Sequence, residues 1–160
     1  MDKLWLQQQV LQRLAEDLQR VEAAARIAHE TATHEENIAE NKYDTLGLEA
    51  SYLATGQARR AEAMRQAIVH WRQFIPQPYN PGQGIQLGAL VTLVDADGVE
   101  QQLFLGPEGG NMKLCHGDVH IQVISSQAPL ARALWGKCEG DEVVLQLGAN
   151  RQHFEVLRVE

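Results

Sequence analysis

The first 75 residues of this 160-residue chain contain no proline, and their apolar side chains return every three or four positions. Leu4, Leu11, Leu18 and Ala25 form one row; Leu14, Val21 and Ala28 form a second, with Gln7 as its polar exception. Two rows at heptad spacing make a narrow stripe on a helix, closer to a coiled-coil seam than to the broad buried face of a globular helix. The pattern pauses over 29–41 (HETATHEENIAEN). It resumes as Leu46, Ala50, Leu53, Gln57, Met64, Ile68 and Trp71. Two seams joined by a short polar segment predict an antiparallel helical hairpin. The alternative is a three-helix bundle broken at Gly56.

The period then changes. FIPQPYNPGQG, over 74–84, holds three of the chain's five prolines and two glycines. Proline removes a backbone donor and cannot continue a helix, so this cluster ends the helical part. Beyond it, 87–94 and 99–105 are β-rich and flank Asp95-Ala96-Asp97-Gly98, whose Asp-Gly pair is a hairpin signal. The stretch 119–124 alternates, 127–135 is compatible with a short helix, and 142–147 and 153–159 are placed to pair across Gly148-Ala149-Asn150. The expectation is an α+β chain: a coiled-coil hairpin over 1–75, a linker over 76–84, and over 85–160 a small antiparallel sheet domain crossed by one short helix.

Composition removes several classes. Apolar residues make up 44% and charged residues 22%, which excludes disorder. No apolar run approaches the length of a bilayer-spanning helix, and the N-terminus lacks the unbroken apolar stretch of a signal peptide, so the expected compartment is the cytoplasm, with no membrane partner. A net charge of −7 argues against a broad basic face for duplex DNA. Cys115 and Cys138 are too few for a disulfide framework, no CxxC spacing occurs, and the HxxxH spacing of His116 and His120 falls in a turn beside Cys115 rather than on a helix. The Gly106–Gly110 stretch lacks the Lys-Ser/Thr of a phosphate loop, and no Gly-x-Ser-x-Gly occurs.

Each hairpin arm of roughly 30 residues would reach on the order of 45 Å. Its turn is the most acidic part of the chain: Glu30, Glu35, Glu36, Glu40, Asp44 and Glu49 against the single base Lys42. Two explanations fit. Asn37 with Glu40, and Thr33 with Glu36, have the spacing of capping boxes. Yet Glu36, Glu40 and Asp44 recur every fourth residue and would share a helix face, where a hard divalent cation such as Mg²⁺ would relieve their repulsion.

These features together resemble the bacterial Gre-type transcript cleavage factors and their paralogues that bind RNA polymerase. The segment SQAPLARALWGKCEGDE over 126–142 resembles the family's C-terminal signature, LVTLV over 90–94 stands where its C-terminal domain begins, and Glu40-Asn41 resembles the Glu-Asn at its hairpin tip. The resemblance implies an FKBP-like C-terminal domain that docks on the rim of the polymerase secondary channel, through residues corresponding to Ser126, Pro129, Arg132, Trp135, Lys137 and Asp141. It implies a hairpin whose tip (Glu36, Asn37, Glu40, Asn41 and Asp44) meets the polymerase active site. There Glu36 and Glu40 would share the polymerase's Mg²⁺ during hydrolysis of backtracked RNA, and the contact with nascent RNA is indirect. The factor would bring no cofactor of its own and would be an accessory rather than an enzyme. One position departs from the pattern: the residue three before Glu40 is Asn37, where cleavage factors place an Asp. An amide offers a neutral oxygen and cannot supply that charge.

Two other functions are open to such a chain. The FKBP-like architecture raises a peptidyl-prolyl isomerase, although Phe104, Trp135 and Phe154 are few aromatics for its pocket. The hairpin raises a coiled-coil adaptor or chaperone. Trp71, Phe74 and Tyr79 are expected to pack the hairpin base onto the sheet domain.

Overall fold

The computed structural model of the chain describes residues 1–34, 46–108 and 112–160. It contains α1 (Lys3–Thr33), α2 (Leu46–Gln73), β1 (Leu90–Asp95), β2 (Glu100–Gly106), β3 (Met112–His116), β4 (Val119–Ser125), α3 (Pro129–Leu134), β5 (Glu142–Leu147) and β6 (Asn150–Val159). The chain divides into two compact units, one of Leu11–Val69 and one of Met1–Val10 with His70–Glu160. No helix among the described residues is long and apolar enough to cross a membrane.

In the helical unit, α2 runs unbroken through Gly56, so the described residues give two long helices rather than three. Its seam follows a strict four-three spacing back from Trp71: Ile68, Met64, Ala61, Gln57, Ala54 and Ala50 are buried or half-buried. Leu53, expected in the seam, is exposed, because it lies one position off that spacing and Ala54 takes the place. On α1, Val21 and Ala28 are buried and Leu14 half-buried, as their row predicts. Arg65 joins the helices, its Nη2 donating to Glu22 at 2.7 Å while Nη1 donates to Glu62 at 3.0 Å. Both acceptors hold the guanidinium in its charged form and push its pKa up.

The other unit is built on a six-stranded sheet in the order β3-β4-β2-β1-β6-β5. It is antiparallel except between β2 and β4, which run parallel from Gln102↔Ile121 to Gly106↔Ser125. The sheet is antiparallel as expected apart from this pair, which arises because β3, unforeseen in the sequence, forms the outer edge and returns the chain so that β4 lies inside it. The β1–β2 turn forms as its sequence predicts. The Asp95 carboxylate accepts from the backbone N–H groups of Asp97 and Val99, both at 2.9 Å, and Gly98 takes φ +79°, a conformation a side chain resists.

Alternation along β2 gives the sheet two apolar faces. Leu103 and Leu105 join Val91, Leu93, Val143 and Val156 under Ala131 and Leu134 of α3. Phe104 and Gly106 face the other way and meet Trp71, the last buried residue of α2. The indole stacks edge-on against Phe74 and at a tilt against Phe104, with centroids 5.8 and 5.9 Å away, and its Nε1 donates to the Glu108 carbonyl at 2.8 Å. His70 pairs with the Glu108 carboxylate. Tyr79, grouped in sequence with Trp71 and Phe74, packs instead against the α3-side cluster. At the start of α1, Leu6 and Val10 are the buried residues and Leu4 is exposed, so the first heptad row shifts where the helix joins the sheet unit. Gln7, the polar exception, caps the end of α2: its Nε2 donates to the carbonyls of Trp71 and Phe74, both at 2.6 Å. The last carbonyls of a helix lack intrahelical partners, which explains an amide in an apolar row.

A Cβ on Gly106 would lie well inside contact distance of the Trp71 ring. Gly106→Ala is therefore expected to destabilise the protein by about 1–3 kcal/mol, the usual cost of overpacking. Adding Trp71→Phe, which frees that space, should recover part of the loss, and urea unfolding of the single and double variants measures both.

Candidate functional site: the α3 segment of the sheet unit

The candidate docking residues lie on the stretch from the end of β4 to the start of β5. Two backbone bonds tie its entrance: the Ser126 N–H donates to the Gly106 carbonyl at 3.2 Å, and the Ala128 N–H to the Ser125 carbonyl at 2.9 Å. The Ser125 hydroxyl accepts from the Gln127 N–H at 3.0 Å. Proline follows at the start of α3, where its missing N–H is no loss. On this short helix Ala131 and Leu134 are wholly buried in the core. Pro129, Arg132 and Trp135, three residues apart, form an exposed row. Trp135 ends the helix with an extended backbone and keeps 44% of its surface exposed. The structure turns this tryptophan outward, because Leu134 already fills the buried position.

The exit is held more firmly. Gly136 N–H donates to the Ile85 carbonyl and Ile85 N–H to the Lys137 carbonyl, both at 2.8 Å, a reciprocal pair that fastens the end of the proline-rich segment to this loop. Gly84 passes so close to the Gly136 carbonyl that no side chain fits between them. Asp141 Oδ2 accepts from the Cys138 N–H at 2.8 Å, and the Gly140 N–H and Asp141 carbonyl bond to Val156 at 2.8 and 2.9 Å. Glu139 Oε1 accepts from the Val159 N–H at 2.8 Å. Burial raises the Tyr79 phenol pKa, with the neighbouring Cys138, Glu139 and Asp141 acting in the same direction.

The six residues thus divide by what they touch. Asp141 and the half-buried Ser126 belong to the frame. Pro129, Arg132 and Trp135 face solvent, with the half-buried Lys137 beyond them. Arg132 does not meet Asp141; its Nη2 donates to Gln127 Oε1 at 2.8 Å, which steadies the guanidinium without neutralising it. A fixed cation beside an exposed indole suits recognition of an acidic or aromatic protein surface. Three residues missed in the sequence complete the frame: Gln127, Glu139 and Ile85. Gln127 and Glu139 carried a signal, their place in the 126–142 segment, and Ile85 carried none.

The tip residues Glu36, Asn37, Glu40, Asn41 and Asp44, with the capping boxes drawn through them and the Glu36/Glu40 metal pair, lie outside the described residues. Among the described residues no three His, Cys, Asp or Glu side chains gather to hold a metal ion. Cys115 Sγ lies 3.2 Å from His120 Nδ1 across the β3–β4 pair, and His116 stacks on Trp5. Phe104 and Phe154 pack on opposite faces of the sheet, so they do not line one pocket with Trp135.

A family model described as "Transcription elongation factor, GreA/GreB, C-term" matches residues 80–160. Transcription elongation factor GreA of Xylella fastidiosa (strain 9a5c) is 37% identical over 81 residues, 51% of this chain and 48% of that protein. GreA of Vibrio parahaemolyticus is 37% identical over 83 residues, again 51% and 48%. The chain spans about half the length of these curated relatives. Among solved structures, the GreA factor homolog 1 (Gfh1) protein of Thermus thermophilus is 21% identical, with a TM-score of 0.38 and 94% of each chain covered.

Asp141→Ala is expected to cost about 1 kcal/mol, the worth of a hydrogen bond to a half-buried N–H. Trp135→Ala, at an exposed position, should stay within about 0.5 kcal/mol of the parent. Urea midpoints of the two variants test the division between frame and free surface.

Proposed function

We infer, given that this chain belongs to the GreA/GreB family of transcription elongation factors, that it is an accessory factor of bacterial RNA polymerase. The sheet unit docks on the rim of the secondary channel through Arg132 and Trp135, with Pro129 and Lys137 at the margins. The hairpin delivers the acidic segment around Glu36 and Glu40 to the active site. The family match over 80–160 carries the reading, and the exposed row on α3 within that span supports it.

The donor set at the tip suits a hard cation, since Glu36 and Glu40 offer carboxylate oxygens. Beside the polymerase's Mg²⁺, which supplies the Lewis acidity for RNA hydrolysis, their part would be to add negative charge and orient water. Asn37 weakens that part. It is neutral where the resemblance places an Asp, so one carboxylate of the expected set is missing. This favours a factor that occupies the channel and modulates the polymerase over one that cleaves backtracked RNA efficiently.

Three measurements test the reading. The chain should co-elute with core polymerase, and Arg132→Ala with Trp135→Ala should weaken binding roughly tenfold or more, as for an interface anchor. Glu36→Ala with Glu40→Ala should leave co-elution unchanged. On stalled, backtracked complexes the parent chain should release few 3′ RNA fragments and Asn37→Asp should release more. Absence of co-elution would sink the docking reading, and efficient cleavage by the parent chain would overturn the role given to Asn37.

A further inference from the structure

Gly56 sits in the interior of α2, exposed, where glycine costs a helix about 1 kcal/mol relative to alanine. Glycine in a long helix is usually explained by a close approach of another backbone. Here a Cβ at Gly56 would meet nothing within 4 Å. The packing of the chain on itself therefore gives no reason for it.

The residues around Gly56 on the same helix face share this lack of a partner. At 100° per residue, Glu49, Tyr52, Leu53, Arg59, Arg60 and Ala63 all fall within about 60° of Gly56, well away from the Ala50–Ala54–Ala61 seam. Tyr52 and Leu53 are 69% and 56% exposed, large apolar groups left in water while alanines fill the seam. Arg59 and Arg60 form no ion pair among the described residues, in contrast to Arg65. The charges are ordered along the face: the acid Glu49 precedes Gly56, and the two arginines follow it.

That order is self-complementary. If a second copy of α2 crosses antiparallel at Gly56, the arginines of each copy stand opposite the Glu49 and Tyr52 of the other. Each Tyr52 ring then lies over a guanidinium, a favourable cation–π geometry. The missing side chain at the crossing lets the helices close to contact, and the contact is isologous, as a two-fold dimer requires. We propose that this face of α2 is a homodimer interface, with Gly56 at the crossing point and Glu49 paired to Arg59 or Arg60 of the second copy. The stripe from Glu49 to Ala63 is only about 21 Å long. The dimer is accordingly a weak one, forming at about 10–100 µM. The inference stands on α2 alone, and a hairpin crossed in this way would have to separate before entering the polymerase.

Sedimentation of the full chain across that concentration range tests it. The parent chain should shift from monomer to dimer. Gly56→Ala should raise the melting temperature, by removing the helix penalty, yet weaken the dimer roughly tenfold or more. Glu49→Arg and Arg60→Glu should each weaken it by a similar factor, and the Glu49→Arg/Arg60→Glu combination should restore it. The proposal is overturned by a parent chain that stays monomeric throughout, including the case in which Tyr52→Ala instead reduces co-elution with polymerase. It is overturned equally by a dimer that Gly56→Ala leaves intact, or by charge variants whose combination fails to recover association.

Discussion

The sheet unit depends on the seating of one indole. Trp71 ends the buried seam of α2 and covers the face of the sheet opposite α3. The seat exists because β2 alternates: Phe104 offers a ring and Gly106 offers no side chain at all on the same face. The bond from Nε1 to the Glu108 carbonyl satisfies the one polar group that so buried a tryptophan brings with it. Gln7 then takes up the carbonyls that the end of α2 leaves unpaired. Apolar packing, a missing Cβ and two sets of hydrogen bonds thus converge on one turn of helix, and the first residues of α1 are held there with it.

The same logic governs the opposite face. Ala131 and Leu134 anchor α3, and the loop after it is stitched to Ile85 on one side and to β6 on the other. With the backbone held in this way, Arg132 and Trp135 are displayed from a firmly tied base, which would lower the entropy lost on binding in the proposed docking. Asp141 and Glu139 are held on backbone N–H groups, those of Cys138 and Val159, and neither forms an ion pair with Arg132.

The helical unit carries a conflict between local preference and packing. Alanines occupy part of the seam while Tyr52 and Leu53 face water, and a glycine stands within a continuous helix that packs nothing against it. Natural sequences tend to break local rules where function asks for it. Among the described residues the Gly56 face is where this chain does so, and it contributes to no core.

Much of this was legible from residue order. The two periods, 3.5 and 2, separated helical hairpin from sheet, because side-chain direction repeats with the backbone. Asp95-Ala96-Asp97-Gly98 wrote its own turn, since an Asx carboxylate and a glycine at positive φ act within a few residues. The C-terminal signature over 126–142 marked the candidate site, though not which of its residues are tied into the frame and which are exposed. What the residue order left open depended on contacts between distant segments. Which of Leu4 and Leu6 is buried, why Gln7 interrupts an apolar row, and whether Trp135 points in or out are settled by neighbours far along the chain. The parallel placement of β4 beside β2 belongs with them. A period records only that one side of an element is apolar; the surface that meets it is chosen when remote segments compete for the same buried volume.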